Sequence, residues 1–164
     1  AVACVVGIST PVDLAASAKA LDQRRSNRIY QRRFLKTLIA KVEAKASRFP
    51  GEIDIAGIRS VRSFQEFDDR FTARLHGFRD AADYWKQSSA RQYLPGIAVP
   101  ALLLNARNDP FLTFESFPFP EAEKNASLFF EAPESGGHVG FIDLVRGMEP
   151  WSERRVVEFV TAHT

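Results

Sequence analysis

The chain predicts an α/β fold built on a parallel sheet, and three observations carry that prediction. Two largely apolar runs, "PALLLNA" (100–106) and "SLFFEA" (127–132), each lead into polar turn residues. A run of small and β-branched residues, "AVACVVGIS", occupies positions 1–9 without alternation. Strands buried on both faces of a parallel sheet read as such continuous runs. Between the first and second runs, residues 11–97 show helical periodicity and no strand signal. Parallel neighbours need a crossover of about a dozen residues or more, and this one is far longer. The expected organisation is a core strand at 1–10, a helical insertion at 11–97, and an α/β core at 98–164 that holds about three parallel strands in all.

Each element has a local reason. After the first strand, "STPVD" offers Thr10 as helix N-cap, Pro11 at the first helical position and Asp13 as a capping carboxylate. From Asn27 to Arg48, Tyr30, Phe34, Leu38 and Val42 recur every four residues, flanked by Leu35 and Ile39, which predicts one apolar helix face. Phe49, Pro50 and Gly51 end that helix. Phe64, Phe67 and Phe71 mark a second helical face, Gly77 closes it, and "DAADYWKQSS" predicts a further short helix. "LPGIAVP" returns the chain to the sheet, with strands expected at Ala101–Ala106 and Ser127–Ala132. Between these two, "FLTFESFPFPEAEKN" fits a short helix or an aromatic loop. The last helix, in "MEPWSERRVVEFVTAHT", turns Trp151, Val156, Phe159 and Val160 inward.

Composition excludes several classes. A net charge of +2 makes no case for nucleic acid, although the basic residues are unevenly spread. One cysteine, Cys4, rules out an internal disulfide framework and suits a reducing compartment, and it is expected in the core. No apolar run approaches the roughly 18 residues of a membrane span, and no leader pattern is present. The expected location is the cytoplasm. A strand that begins at residue 1 reads as part of something longer.

The chemistry concentrates at two strand ends. In open parallel sheets, ligands bind beyond the carboxyl ends of the strands. Asp109 follows the second strand in "NARNDP", and His138 follows the third in "ESGGHVGF", 29 positions later. Gly136 and Gly137 permit unusual backbone angles beside the histidine. An Asp and then a His, each on its own strand tip, supply two members of a Ser–Asp–His triad. His138 would take the nucleophile's proton, and Asp109 would hold the imidazole in the right tautomer. The nucleophile is missing, because the chain contains no G-x-S-x-G elbow. Ser9 in "GISTP" has Pro11 where the second glycine should stand, so the stretch reads as a helix cap.

Other constellations are weaker. Asp68 and Asp69 could pair as acid and base, but as neighbours on a helix they are expected to bind arginines structurally. His76, His138 and His163 show no metal spacing, and no cofactor is expected. "RRSNRIYQRRFLK" mixes cations with aromatics, a pattern that suits RNA or an anionic membrane surface. Its four-residue apolar rhythm argues instead for a packed helix with a solvated cationic face.

The stretches "GISTPVDL", "YQRRFLKTL", "EFDDRFTARLHGF", "DYWKQSS", "LPGIAVPALLLNARNDPF" and "GGHVGF" resemble the α/β-hydrolase superfamily, and within it the YheT-type branch of hydrolases and esterases. The resemblance spans nearly the whole chain and implies the C-terminal part of such a fold, with the helical insertion as its cap. It places the family's Asp and His on Asp109 and His138, and its serine and oxyanion loop outside this chain. It implies a carboxylic ester substrate of acyl or lipid-like kind, and a chain that is inactive alone. The first strand would then lack a neighbour and either pair with an N-terminal half or self-associate. The alternative is a non-catalytic α/β module that recruits an anionic partner through Arg24, Arg25, Arg28, Arg32 and Arg33.

Overall fold

The computed structural model describes residues 1–143 and 149–164. Along the chain run β1 (Val5–Ile8), α1 (Leu14–Gln23), α2 (Arg28–Arg48) and α3 (Phe64–Phe67). A π-helical turn, Asp68–Thr72, joins α3 to α4 (Ala73–His76), and α5 (Ala81–Ser88) follows. Then come β2 (Ala101–Leu104), α6 (Phe119–Lys124), β3 (Leu128–Glu131), β4 (Ile142–Asp143), β5 (Glu149–Pro150) and α7 (Trp151–His163). The segment 111–125 holds both a loop and a helix, since a short 3-10 turn at Phe114–Ser116 precedes α6.

The chain divides into two compact units, one of Ala1–Ser17 with Ser89–Thr164 and one of Ala18–Ser88. In the first, β1, β2 and β3 form a parallel sheet in that order, with Val5 opposite Ala101 and Ala101 opposite Leu128. Three parallel strands with helices before, between and after them are the α/β arrangement that the sequence predicts. All four residues of β2 are buried, as its unbroken apolar run requires. On one face, Val12, Leu94, Leu103 and Leu128 form a core cluster. On α7, Phe159 is buried and its ring meets Phe129 of β3 at 5.3 Å, while Arg155 pairs with Glu131 at 2.6 Å.

β1 departs from expectation. It is four residues long rather than nine, and Val5 and Ile8 are 49% and 37% exposed. The reason is its place at the edge of the sheet, with β2 as its one partner among the described residues. Cys4 precedes the strand and is only half-buried, so it is not a core residue. Nor does Thr10 cap the next helix. Ser9 adopts a left-handed backbone (φ 52°), the chain turns, and α1 starts at Leu14. Asp13 is the cap: its Oδ1 accepts the Ala16 N–H at 3.0 Å.

In the helical unit, Leu35 and Val42 of α2 join Ile58, Val61, Phe67 and Phe71 in one core. Tyr30 and Phe34 were expected on that face, but they are 46% and 38% exposed. Residues four apart advance about 40° beyond a full turn, so a strict four-residue series winds off any single face. Leu35 and Val42, seven apart, stay within about 20° of each other. Asp22 accepts the Phe64 N–H at 2.8 Å and the Gln65 N–H at 3.2 Å, satisfying the first amides of α3. Among the described residues, Asp68 and Asp69 do not bind arginines. Asp68 accepts Thr72 Oγ1–H at 2.6 Å and Trp85 Nε1–H at 2.8 Å, and Asp69 accepts the Ala81 N–H at 2.7 Å. Burial raises the Asp68 carboxyl above its ordinary value; the two hydrogen bonds oppose that rise, and the Asp22 and Asp69 charges add to it.

Candidate active site

Both loops that leave the sheet are tied down before they reach the polar residues. Past the end of β2, the Asn105 N–H donates to Glu131 O at 3.1 Å and the Arg107 N–H to Pro133 O at 2.8 Å. The strand pairing thus continues into the loops and carries them side by side. Asn105 is 1% exposed, and its side chain grips Thr10 from both sides, accepting its N–H at 2.8 Å and donating to its carbonyl at 3.1 Å. Three strand ends therefore share one anchored rim.

Asp109 follows in a tight turn. Its N–H donates to Ala106 O at 3.1 Å, and its Oδ1 accepts the Phe111 N–H at 2.8 Å across Pro110, an Asx turn. That leaves Oδ2, which lies 2.9 Å from Nδ1 of His138. The Asp109 side chain is wholly buried, while that of His138 is 38% exposed. The Phe111 ring stands 4.6 Å from the imidazole, centroid to centroid, and walls one side of it.

Asn108, to which the sequence reading assigned no role, sets the histidine loop. Its Oδ1 accepts the Gly136 N–H at 3.0 Å and the Gly137 N–H at 2.8 Å. Gly137 takes φ +60°, and a Cβ on Gly136 would lie 2.4 Å from the Phe141 ring. Gly137 is therefore demanded by its backbone angle and Gly136 by the closeness of the Phe141 ring. The Gly140 and Phe141 N–H groups both donate to Gly136 O, closing the turn behind His138. The signal for Asn108 was present as a polar residue beside Asp109, but only the coordinates show what it reaches.

A carboxylate accepts hydrogen bonds and cannot donate, so the Asp109 contact selects the tautomer with the proton on Nδ1. The basic lone pair then sits on Nε2, the nitrogen able to receive a proton from an attacking hydroxyl. Ser9 does not provide that hydroxyl in this structure. It is 5% exposed, and among the described residues its Oγ has no hydrogen-bond partner, His138 included. His163 caps its own helix by bonding Phe159 O at 2.7 Å. Among the described residues, no group of three or more His, Cys, Asp or Glu is arranged to hold a metal ion.

Comparison with known proteins decides the family. The chain is 38% identical over 159 residues to the Escherichia coli (strain K12) protein named "Putative esterase YheT", covering 95% of this chain and 46% of that relative. A Dictyostelium discoideum "Abhydrolase domain-containing protein" is 28% identical over 160 residues, covering 95% of this chain and 40% of its own length. The chain belongs to the α/β-hydrolase superfamily. Mouse "Phospholipase ABHD3" is 32% identical over 106 residues, 65% of this chain and 26% of that protein. This superfamily member spans less than half the length of each of these three relatives. No protein-family model matches the chain, and no solved structure does. No helix among the described residues is long and apolar enough to cross a membrane.

Proposed function

We propose that the protein carrying this chain hydrolyses carboxylic esters through a serine triad, with Asp109 and His138 as two members. The nucleophilic serine and the oxyanion donors come from polypeptide outside these 164 residues. The observation that carries the reading is the 2.9 Å contact between a fully buried carboxylate and a part-exposed imidazole on one sheet rim. His138 Nε2 takes the serine proton as the hydroxyl attacks the ester carbonyl, and returns it to the departing alcohol. Water then enters by the same route and releases the acid. Asp109 stabilises the imidazolium that forms in both steps. Relatives named as an esterase and a phospholipase support an ester as substrate class.

An apolar acyl group fits beside Phe111, the ring that touches the imidazole. Of the other phenylalanines of that stretch, Phe114 is 63% exposed, and Phe117 and Phe119 are committed to packing. Phe117 and Phe119 meet Phe130 at 5.6 and 4.9 Å and fix α6 against β3.

The open edge of β1, with Val5 and Ile8 exposed, pairs with a strand from the same outside polypeptide. In its absence the chain self-associates through that edge. A stable monomer in sedimentation of the 164-residue chain would count against this pairing.

The test of the triad is an assay of the full-length protein on a short activated ester. His138→Ala is expected to reduce kcat by about three orders of magnitude or more, and Asp109→Asn by a similar factor. Full activity in the double variant would remove the assignment.

A further inference from the structure

The helical unit carries a charge arrangement that ester hydrolysis does not use. Nine of the 22 basic residues of the chain fall between positions 24 and 48, with one of the 20 acidic residues, Glu43. Glu43 is occupied by Arg59 at 2.9 Å. Arg28, Arg32, Arg33 and Lys36 are exposed and form no ion pair among the described residues. Arg28, Arg32 and Lys36 stand four apart on one side of α2, where like charges destabilise a helix. A surface helix that served only solubility would alternate signs and gain from such pairs. Here the repulsion is kept.

Two further observations narrow the partner. Arg28, Arg32 and Lys36 of α2 together with Arg62 line a groove of about 490 Å³ whose floor includes Leu35 and Val61. Ile29, about 20° from Lys36 round the helix axis, is 78% exposed. Cations that flank an exposed aliphatic side chain match the interface of an anionic bilayer, where phosphates meet the charges and the apolar tip enters the acyl boundary. Single-stranded RNA would instead be met by rings on which bases stack, and the exposed ring of this segment, Tyr30, lies about 160° round the helix from Arg28 and Arg32.

We propose that the outer face of α2 docks on an anionic phospholipid bilayer, with lipid headgroup phosphates held among Arg28, Arg32, Lys36 and Arg62 and Ile29 inserted at the interface. This goes beyond the ester hydrolase reading and stands without it.

The test is sedimentation of the purified full-length protein with phosphatidylcholine vesicles, with or without phosphatidylserine. Binding is expected only to the vesicles that contain phosphatidylserine, and it should weaken as salt rises. Each basic side chain near such a surface multiplies partitioning roughly fivefold, so Arg28→Gln, Arg32→Gln and Lys36→Gln together should reduce it about a hundredfold. Ile29→Ser alone should reduce it about tenfold. Both variants should keep their circular dichroism and their turnover of a water-soluble ester, which separates this proposal from the triad. Equal binding to both vesicle types, or unchanged partitioning in the triple variant, would overturn it. Retention of RNA lost in the triple variant, with vesicles ignored, would overturn it as well.

Discussion

Asn105 holds Thr10 at both of its backbone groups, accepting the N–H at 2.8 Å and donating to the carbonyl at 3.1 Å. The two residues are 95 positions apart, so one side chain fixes the end of β1 against the end of β2. Asn105→Ala leaves both groups of Thr10 without their partner and should cost about 2–3 kcal/mol. Asn105→Asp keeps the acceptor but turns a second oxygen towards the carbonyl, and should cost a comparable amount. Urea denaturation followed by circular dichroism reads both.

Asn108 bonds the Gly136 and Gly137 amides and thereby aims the loop that bears His138. Asn108→Ala should reduce kcat on a short ester by about tenfold or more, with KM within about twofold, because geometry rather than binding is lost. Asn108→Asp retains the accepting oxygen and should recover most of the activity. A purely structural role would lower stability and leave the kcat of the folded fraction unchanged.

Gly136 and Gly137 should respond differently to alanine. At Gly136 the added carbon meets Phe141 at 2.4 Å and Ala106 at 3.0 Å, and Phe141 is 3% exposed with little room to yield. Overpacking there should cost about 2–3 kcal/mol. Gly137 faces open space but has φ +60°, so Gly137→Ala should cost only about 1 kcal/mol. Thermal unfolding of the two variants gives the order directly.

Ser9→Ala removes a buried hydroxyl that has no hydrogen-bond partner among the described residues. Ester turnover should stay within about twofold and stability should hold or rise slightly. A loss as large as that of His138→Ala would make Ser9 the nucleophile and replace the proposed outside serine.

Asp68 gives a pH dependence with a definite sign. Its carboxyl is raised in the folded protein, first by burial and further by the Asp22 and Asp69 charges. A raised group adds stability that is complete below the unfolded value of about 3.9 and is lost as pH climbs through the folded one. Asp68→Asn can still accept from Trp85 and can donate to Thr72, without the charge. Its melting temperature should exceed that of the parent by about 1–2 °C near neutrality, after allowance for solvent screening, and the gap should close towards pH 3. A gap that widens in acid would show the sign to be wrong.

The sheet and its two polar tips were readable because buried parallel strands leave continuous apolar runs and their punctuation is sharp. "ALLL" became β2, and the residues just beyond it, together with those beyond β3, formed the rim. Asn105 and Asn108 were visible only as polar letters, since each acts on a backbone group brought near by pairing rather than by sequence. The cap at Thr10 failed because capping patterns assume an ordinary backbone before the helix, and Ser9 takes a left-handed one. Asp68 and Asp69 were read as partners for nearby arginines, yet buried amide, indole and hydroxyl donors met them first. Charge counting cannot see such donors.

The parallel register of Val5 against Ala101 also bears on the order in which the protein assembles. Bringing those strands together closes a loop of nearly a hundred residues, a costly and slow step for a flexible chain. The intervening stretch is not flexible once folded, because Ala18–Ser88 has a core of its own. Helices of that kind form early, and a collapsed insert shortens the distance that the strands must search. If the insert collapses first, mutations in its core should slow refolding of the sheet as well as weaken the helices, which stopped-flow refolding followed by circular dichroism would read.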